Sequence, residues 1–199
     1  MRSICLICCS VVLTTGLALA GPTTKPAGAA AAPAKDAGAG QDEDFVVSKM
    51  RVQEFKPQTY LYFETETTLG QIGQVARTVV EKLHETIKEA NVTVNGPTVF
   101  VYQGASADPN KPFTLQVGMC VAPGTKEVGD FKVRELSKFK AATVIYSGPV
   151  AQIPQAYQQL YGDLFQAQLE PTQEMRDYYL YFESTESPNN VQILQVGIK

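Results

Sequence analysis

The chain has 199 residues, of which 44% are hydrophobic, and this is long enough for one domain with a good core. Its formal net charge of −3 and the absence of a Lys/Arg cluster argue against a nucleic acid partner. The only histidine, His84, falls outside the apolar stripe of a predicted helix, so we expect it to be solvated. We therefore expect no metal site.

The first twenty residues predict a secretory signal. Met1-Arg2 supplies a positive start, Ser3–Ala20 is apolar, and the run ends in the small-x-small pattern Ala18-Leu19-Ala20. A retained membrane anchor is the alternative, since about 18 apolar residues could just span a bilayer. The cleavage pattern favours removal. We expect an exported protein, periplasmic or secreted, with no membrane attachment after cleavage.

Residues 21–44 predict a disordered linker. They are mostly Ala, Pro, Gly and Thr and contain almost no large apolar side chain. Ordering them would cost conformational entropy with little burial to offset it. The folded domain is therefore predicted to span residues 45–199.

Two segments of this domain, Leu69–Ala90 and Val150–Leu169, show helical periodicity. Apolar residues recur at spacings of mostly three and four, which predicts amphipathic helices that must pack on something. The matching apolar positions are Ile72, Val75, Ala76, Val79, Val80 and Leu83 in the first segment and Ile153, Ala156, Tyr157, Leu160, Tyr161 and Leu164 in the second.

β-rich runs flank both helices in the same order, one before the helix and two after it. The runs are Thr59–Phe63, Thr98–Tyr102 and Phe113–Val121 in the first copy and Ala142–Tyr146, Tyr178–Phe182 and Val191–Ile198 in the second. Turn-forming residues separate them, and both final runs contain the motif Leu-Gln-Val-Gly. The sequence therefore predicts an α+β domain of tandem duplicated β-α-β-β units, residues 48–122 and 130–199, with one helix on each antiparallel sheet.

Alternation along the strands predicts a ligand cleft between the two repeats. Gln116 and Gln195 fall on the face opposite the apolar residues of their strands, and Tyr179 and Tyr181 share a face. A concave surface with tyrosines and amides suits a small molecule. The predicted ligand-binding residues are Gln116, Gln195, Tyr102, Tyr146, Tyr179 and Tyr181. Two alternatives stay open: any antiparallel sheet recruits tyrosines, and the two glutamines could pair with each other across the repeat interface.

Several weak motifs in order resemble the GyrI-like small-molecule-binding domains, which also serve as effector-binding modules of AraC- and MerR-type regulators. The resemblance rests on Phe131–Leu136, Ala141–Pro149, the second helix, Leu169-Glu170-Pro171 and the terminal strand, with Phe113–Val121 matching the first half of the family. It covers nearly all of the mature domain. It implies a cleft between the repeats that binds drug-like, often cationic or apolar, molecules. No helix-turn-helix segment precedes the domain, so we expect it to be free-standing.

The resemblance also implies a buried acidic residue in the cleft, which some relatives use to hydrolyse reactive cyclopropane compounds. Matching strand to strand places that acid at Gln116 or Gln195. An amide cannot act as a general acid or hold a negative charge against a cation, so enzyme activity and cation binding are both disfavoured. If the protein is an enzyme, Glu183 is the carboxylate to examine first. The similarly built SOUL domains bind haem, but the cleft strands here contain no histidine, and we expect no cofactor.

The leading hypothesis is an exported small-molecule-binding protein that captures an aromatic or neutral organic ligand in the inter-repeat cleft. One alternative is a hydrolase of electrophilic small molecules on the same fold. The other is a protein-interaction or inhibitor domain that uses the concave surface on a protein partner. A cleft acid with a raised pKa would favour the hydrolase, and a filled groove would favour the protein partner.

Overall fold

A computed structural model describes residues 45–199, so the predicted signal and linker lie outside the described residues. Short 3₁₀ turns at Leu69–Gln71 and Val150–Gln152 lead into the two helices. In chain order the elements are β1 (Val46–Val47), β2 (Arg51–Phe55), β3 (Gln58–Thr67), α1 (Ile72–Glu89), β4 (Val94–Gln103), β5 (Phe113–Val121), β6 (Lys132–Leu136), β7 (Phe139–Ser147), α2 (Ile153–Gln166), β8 (Pro171–Tyr181) and β9 (Val191–Ile198).

All the strands belong to one antiparallel sheet, in the order β1-β7-β9-β8-β4-β5-β3-β6, with β2 also paired to β7. The order strand, helix, strand, strand occurs twice, as β3-α1-β4-β5 and as β7-α2-β8-β9. The two sets join edge to edge through β4 and β8, where Thr98 lies opposite Tyr179 and Gln103 lies opposite Glu174. The predicted α+β fold, with an antiparallel sheet and two helices, is therefore confirmed.

Both predicted helices are confirmed because their apolar stripes are buried. Val79 and Leu83 of α1 pack on β3, β4 and β5, and Leu160 and Leu164 of α2 pack on β7 and β9. Burying each such side chain stabilises the fold by about 1.5–3 kcal/mol before entropy is subtracted. Pro154 lies in the first turn of α2, where the missing N–H costs no helical hydrogen bond. The centres of β4 and β8 lie between the two helix-covered cores.

Three strands, β1, β2 and β6, were not predicted as strands. β1 has only two residues, and the first four residues of β2 are exposed, so neither shows an apolar alternation. Both pair with the outer edge of β7, which would otherwise be unpaired. β1 and β2 are therefore held in the sheet by their pairing with β7 rather than by burial of one of their faces.

The sheet face away from the helices, here called the far face, is also packed. Tyr60, Val99, Val101, Leu136 and Tyr178 form a buried cluster there. No helix among residues 45–199 is long and apolar enough to cross a membrane.

The glycine of the Leu-Gln-Val-Gly motif allows this packing. At Gly118 an added Cβ would lie 2.0 Å from the carbonyl oxygen of Leu61 and 2.8 Å from the ring of Tyr60. At Gly197 it would lie 2.8 Å from the ring of Phe139. An aromatic ring on the neighbouring strand therefore occupies the space above each motif glycine.

We expect Gly118→Ala to destabilise the domain by about 1–3 kcal/mol, because the added methyl group overpacks a site closed by backbone. Gly162→Ala is the matched control, since Gly162 lies within α2 with nothing within 4 Å of the added carbon. Alanine there should stabilise the helix by up to about 1 kcal/mol. Urea unfolding of the two variants measures both effects, and equal midpoints would contradict the packing argument.

Candidate functional site

The structure places the six residues that were predicted to line one cleft on both faces of the sheet, and it brings Tyr102 and Tyr179 together on either side of Phe100. Gln116 and Gln195 lie on the far face. Tyr102 and Tyr146 belong to the helix-side cores, Tyr179 packs against the α1 core, and Tyr181 is 53% exposed at the end of β8. The reason is visible in β4, where one face carries valines and the other carries Phe100 and Tyr102, so alternation alone does not identify the helix-facing side. The role of these residues in ligand binding stays a prediction.

On the far face, Gln116 is held in a protein network. Its Oε1 accepts hydrogen bonds from Nη2 and Nε of Arg134, at 2.6 and 3.1 Å, and its Nε2 donates to Oε2 of Glu64 at 2.6 Å. The Arg134 guanidinium lies 5.6 Å from the ring centre of Tyr62 and 5.9 Å from that of Tyr60. Gln116 therefore acts as a bridge between a cation and an anion of the protein.

Gln195 does not pair with Gln116, because Arg176 and Val101 stand between them in the register of β9, β8, β4 and β5. Gln195 is fully buried, and its amide has no hydrogen-bond partner among the described residues. Arg176 is 3% exposed, contacts Oε1 of Glu174 at 2.6 Å, and lies 3.8 Å from the centre of the Phe139 ring. Side chains of the protein fill this face where the concave surface was predicted.

A buried carboxylate lies on the opposite, helix-covered face. Asp177, in the middle of β8, is 1% exposed and is the only buried carboxylate among residues 45–199. Its Oδ2 accepts a hydrogen bond from the hydroxyl of Tyr102 on β4 at 2.9 Å, and its Oδ1 accepts one from the hydroxyl of Tyr157 on α2. Tyr157 is only partly buried, so it stands between the carboxylate and solvent.

Aromatic rings surround Asp177 in what we call the central aromatic cluster, which consists of Phe100, Tyr102, Tyr157, Tyr179 and Phe182. The ring centres of Phe100 and Tyr179 are 4.7 Å apart, and those of Phe100 and Tyr102 are 6.5 Å apart. Phe182, 6.5 Å from Tyr179 and 52% exposed, forms the solvent-facing end of the cluster. The cluster lies where β4 and β8 meet, between the α1 and α2 cores.

Burial dominates the electrostatics of this site. It raises the pKa of Asp177 to about 6, against the opposing effect of the hydrogen bonds from Tyr157 and Tyr102. Burial also raises the pKa of Tyr102 and of Tyr157 well above the ordinary value, so both stay neutral hydrogen-bond donors. None of the ion pairs within residues 45–199 includes Asp177. The site can therefore attract a cation or exchange a proton near neutral pH.

Asp177 was not among the predicted site residues because the predicted strand began one residue later, at Tyr178. The strand begins at Pro171, which places Arg176 and Asp177 inside it on opposite faces. The sequence signal that could have identified Asp177 was the pair Arg176-Asp177 directly before the apolar run that starts at Tyr178. A charged side chain buried within a strand is costly unless it has a partner or a function.

Glu183, the carboxylate expected to matter in an enzyme, lies in the turn after β8. It accepts hydrogen bonds from Ser187 at 2.5 Å and from Asn189 at 3.1 Å, and these bonds lower its pKa. His84 is exposed on α1, as predicted. In the described part of the chain, no group of three or more His, Cys, Asp and Glu side chains is arranged to hold a metal ion.

Two surface depressions lie away from the central aromatic cluster. One, of about 520 Å³, is lined by Met50 and Gln159 beside α2, and the other, of about 390 Å³, is lined by Phe63 and Lys82 beside α1. Neither includes Asp177 or a predicted ligand-binding residue.

The described chain is thus an antiparallel sheet with two helices on one side and a carboxylate buried among tyrosines. The chain belongs to the GyrI-like family, because the model of the GyrI-like small molecule binding domain matches residues 48–197. The family resemblance drawn from the sequence is thus confirmed. A comparison with curated proteins found no match.

Solved structures share this fold at low sequence identity. The EcmrR C-terminal domain superposes with a TM-score of 0.65 at 14% identity, over 76% of this chain and 97% of that domain. In the EcmrR–DNA complex, the match spans only 57% of the EcmrR chain. SAV2435, solved bound to tetraphenylphosphonium, has a TM-score of 0.55 at 12% identity, over 76% and 94% of the two chains. A hydrolase from Listeria innocua has a TM-score of 0.53 at 11% identity, over 76% of this chain and 92% of the hydrolase chain.

Proposed function

We propose that this domain binds a small organic cation between α1 and α2, with Asp177 as the counter-charge. The observation that carries the proposal is a carboxylate that is 1% exposed and has no cationic partner within residues 45–199. Burying a charge without a partner costs several kcal/mol, and a bound cation would offset that cost. The two tyrosine hydroxyls reduce the cost but supply no opposite charge.

The central aromatic cluster supports a cationic ligand in a second way. Aromatic ring faces attract cations by about 0.5–2 kcal/mol each, and more strongly where water is excluded. Tyr179 packs against Phe100 in the interior and against Phe182 at the surface, so rings extend from the buried carboxylate to solvent. A flat or branched aromatic cation would contact several of them at once.

This ligand differs from the neutral one expected from the sequence. That expectation assumed that the acid of the site would stand at Gln116 or Gln195, and the buried carboxylate is Asp177 on the other face. The relative SAV2435 was solved with tetraphenylphosphonium, a permanently charged aromatic cation, which is consistent with the proposal.

Calorimetric titration of the domain with tetraphenylphosphonium at pH 7.5 tests the proposal. Tetraphenylborate is the control, because it has nearly the same size and the opposite charge. We expect heat of binding with the cation and none with the anion. Equal binding of the two ions, or binding of neither, would refute the proposal.

A hydrolase is the second candidate, favoured by the pKa of about 6 that burial gives Asp177. A carboxyl group with that pKa can donate and recover a proton near neutral pH. A structural relative from Listeria innocua is a hydrolase. Turnover of an activated cyclopropane by the wild type but not by Asp177→Asn would support this candidate, and tight binding without turnover would eliminate it.

We also propose that the domain arose by duplication and that the protein is exported. Duplication is supported by the repeated order of elements and by the two motif glycines that each lie beneath an aromatic ring. Export is supported by the sequence of residues 1–20. Mass spectrometry of the protein from outside the cytoplasm should find a chain that begins at Gly21, and an uncleaved N-terminus would argue against it.

A further inference from the structure

Gln192 on β9 is a fully buried side chain that no part of the proposed cation site uses. It has no exposed surface, and neither its Nε2 nor its Oε1 has a hydrogen-bond partner among the described residues. Each buried polar group left unpaired costs about 1–3 kcal/mol. An amide in this position is a disadvantage to the free protein unless something else satisfies it.

Gln192 lies on the helix-covered face, beside the central aromatic cluster. It stands opposite Tyr146 on β7 and Tyr179 on β8. Asp177 stands opposite Leu194, so Gln192 and Asp177 are diagonal neighbours on adjacent strands. Diagonal neighbours on one face of a sheet are about 7–8 Å apart at their Cα atoms, so one small molecule can lie against both side chains.

The protein groups nearest to Gln192 in the sheet do not complete its hydrogen bonds. The hydroxyl of Tyr146 donates instead to the carbonyl oxygen of Pro149 at 2.5 Å. Leu194 is apolar, and Tyr179 packs its ring against Phe100. The amide therefore offers one acceptor and two donors to a molecule that enters the cluster.

We propose that Gln192 selects, among organic cations, those that also carry an amide-type edge, with an N–H donor and a C=O acceptor side by side. A carboxamide, lactam or ureide would accept from Nε2 and donate to Oε1 while its cationic group pairs with Asp177. The inference rests on the proposed function and adds the ligand class. It also makes Gln192 the residue that distinguishes such a ligand from a plain aromatic ammonium ion.

Two matched probes test this inference, 4-(aminomethyl)benzamide and 4-methylbenzylamine. Both are benzylammonium ions at pH 7.5, and only the first carries a carboxamide, at the opposite end of the ring. Two hydrogen bonds at about 0.5–1.5 kcal/mol each predict that the wild type binds the amide probe about five- to 150-fold more tightly than the methyl probe. Titration calorimetry measures both affinities.

The variant Gln192→Leu keeps the volume of the side chain and removes its polar atoms. We expect the preference for the amide probe to disappear in this variant, while 4-methylbenzylamine keeps its affinity. Thermal unfolding serves as the folding control, and the variant should be at least as stable as the wild type, because an unpaired buried amide has been removed.

The outcomes separate this inference from the proposed function. The role of Gln192 is wrong, while cation binding stands, if both probes bind the wild type equally or if Gln192→Leu keeps the preference. The same conclusion follows if tetraphenylphosphonium binds the wild type and neither probe does. If neither probe binds the wild type and tetraphenylphosphonium does not bind either, the proposed function is wrong and this inference is wrong with it.

Discussion

Asp177→Asn is expected to weaken the binding of tetraphenylphosphonium by about 2–5 kcal/mol, which is the usual effect of removing one partner from a buried charge pair. Asparagine has nearly the shape of aspartate, and its carbonyl oxygen can still accept the hydrogen bond from Tyr102. Its amide group has no charge, so it cannot neutralise a cation. The loss should therefore come from electrostatics rather than from shape.

Asp163→Asn is the matched control for this experiment. Asp163 lies on α2, the helix that carries Tyr157, but it lines the depression beside β1 rather than the central aromatic cluster. The variant removes the same net charge from the protein, so a long-range effect of charge would appear in it as well. Calorimetry at pH 7.5 should find wild-type affinity in Asp163→Asn. Equal weakening in both variants, or in neither, would mean that Asp177 does not hold the cation.

The ligand-free protein is expected to lose about 3 kcal/mol of unfolding free energy through Asp177 as the pH rises from about 4 to 7. The pKa of this carboxyl is about 6 in the folded state, compared with an ordinary value of 3.8. Below both values the group is protonated in either state and its burial costs little. Between them the folded state binds more protons than the unfolded state, so stability falls as the pH rises.

Comparison with Asp177→Asn isolates this effect. Other carboxylates respond in the opposite sense, because salt bridges or hydrogen bonds lower the pKa of Asp130, Glu170 and Glu183 and their contributions are lost on acidification. Urea unfolding of both proteins at several pH values gives the difference directly. The variant should be more stable than the wild type at pH 7 and should lose that advantage by pH 4, and a constant difference would contradict the raised pKa.

Much of the framework could be predicted from local patterns. The spacing of residues such as Val79 and Leu83 in one segment, and Leu160 and Leu164 in the other, indicated both helices and their buried stripes. Strands β3, β4, β5, β7, β8 and β9 were identified from β-branched and aromatic runs between turn residues, and the family was identified from several motifs in order. These features depend on neighbours within a few residues, which a sequence displays directly.

The location of the site depended on contacts between distant parts of the chain. Alternation grouped Phe100 with Tyr102 and Val99 with Val101, but both pairs are apolar, and only the packing of α1 on the sheet decides which pair faces the helix. Packing of the helices likewise decides that Gln116 lies on the far face and that Asp177 lies on the helix-covered face.

Asp177 became a candidate site residue only through long-range contacts. Tyr157 reaches it from α2 and Tyr102 reaches it from the other half of the sheet, and the burial that raises its pKa arises where β4 and β8 meet. The sequence by itself determined the elements, their order and the family. Tertiary structure decided which polar side chains are buried together, because burial and partnership are properties of residues that are remote along the chain and adjacent only in space.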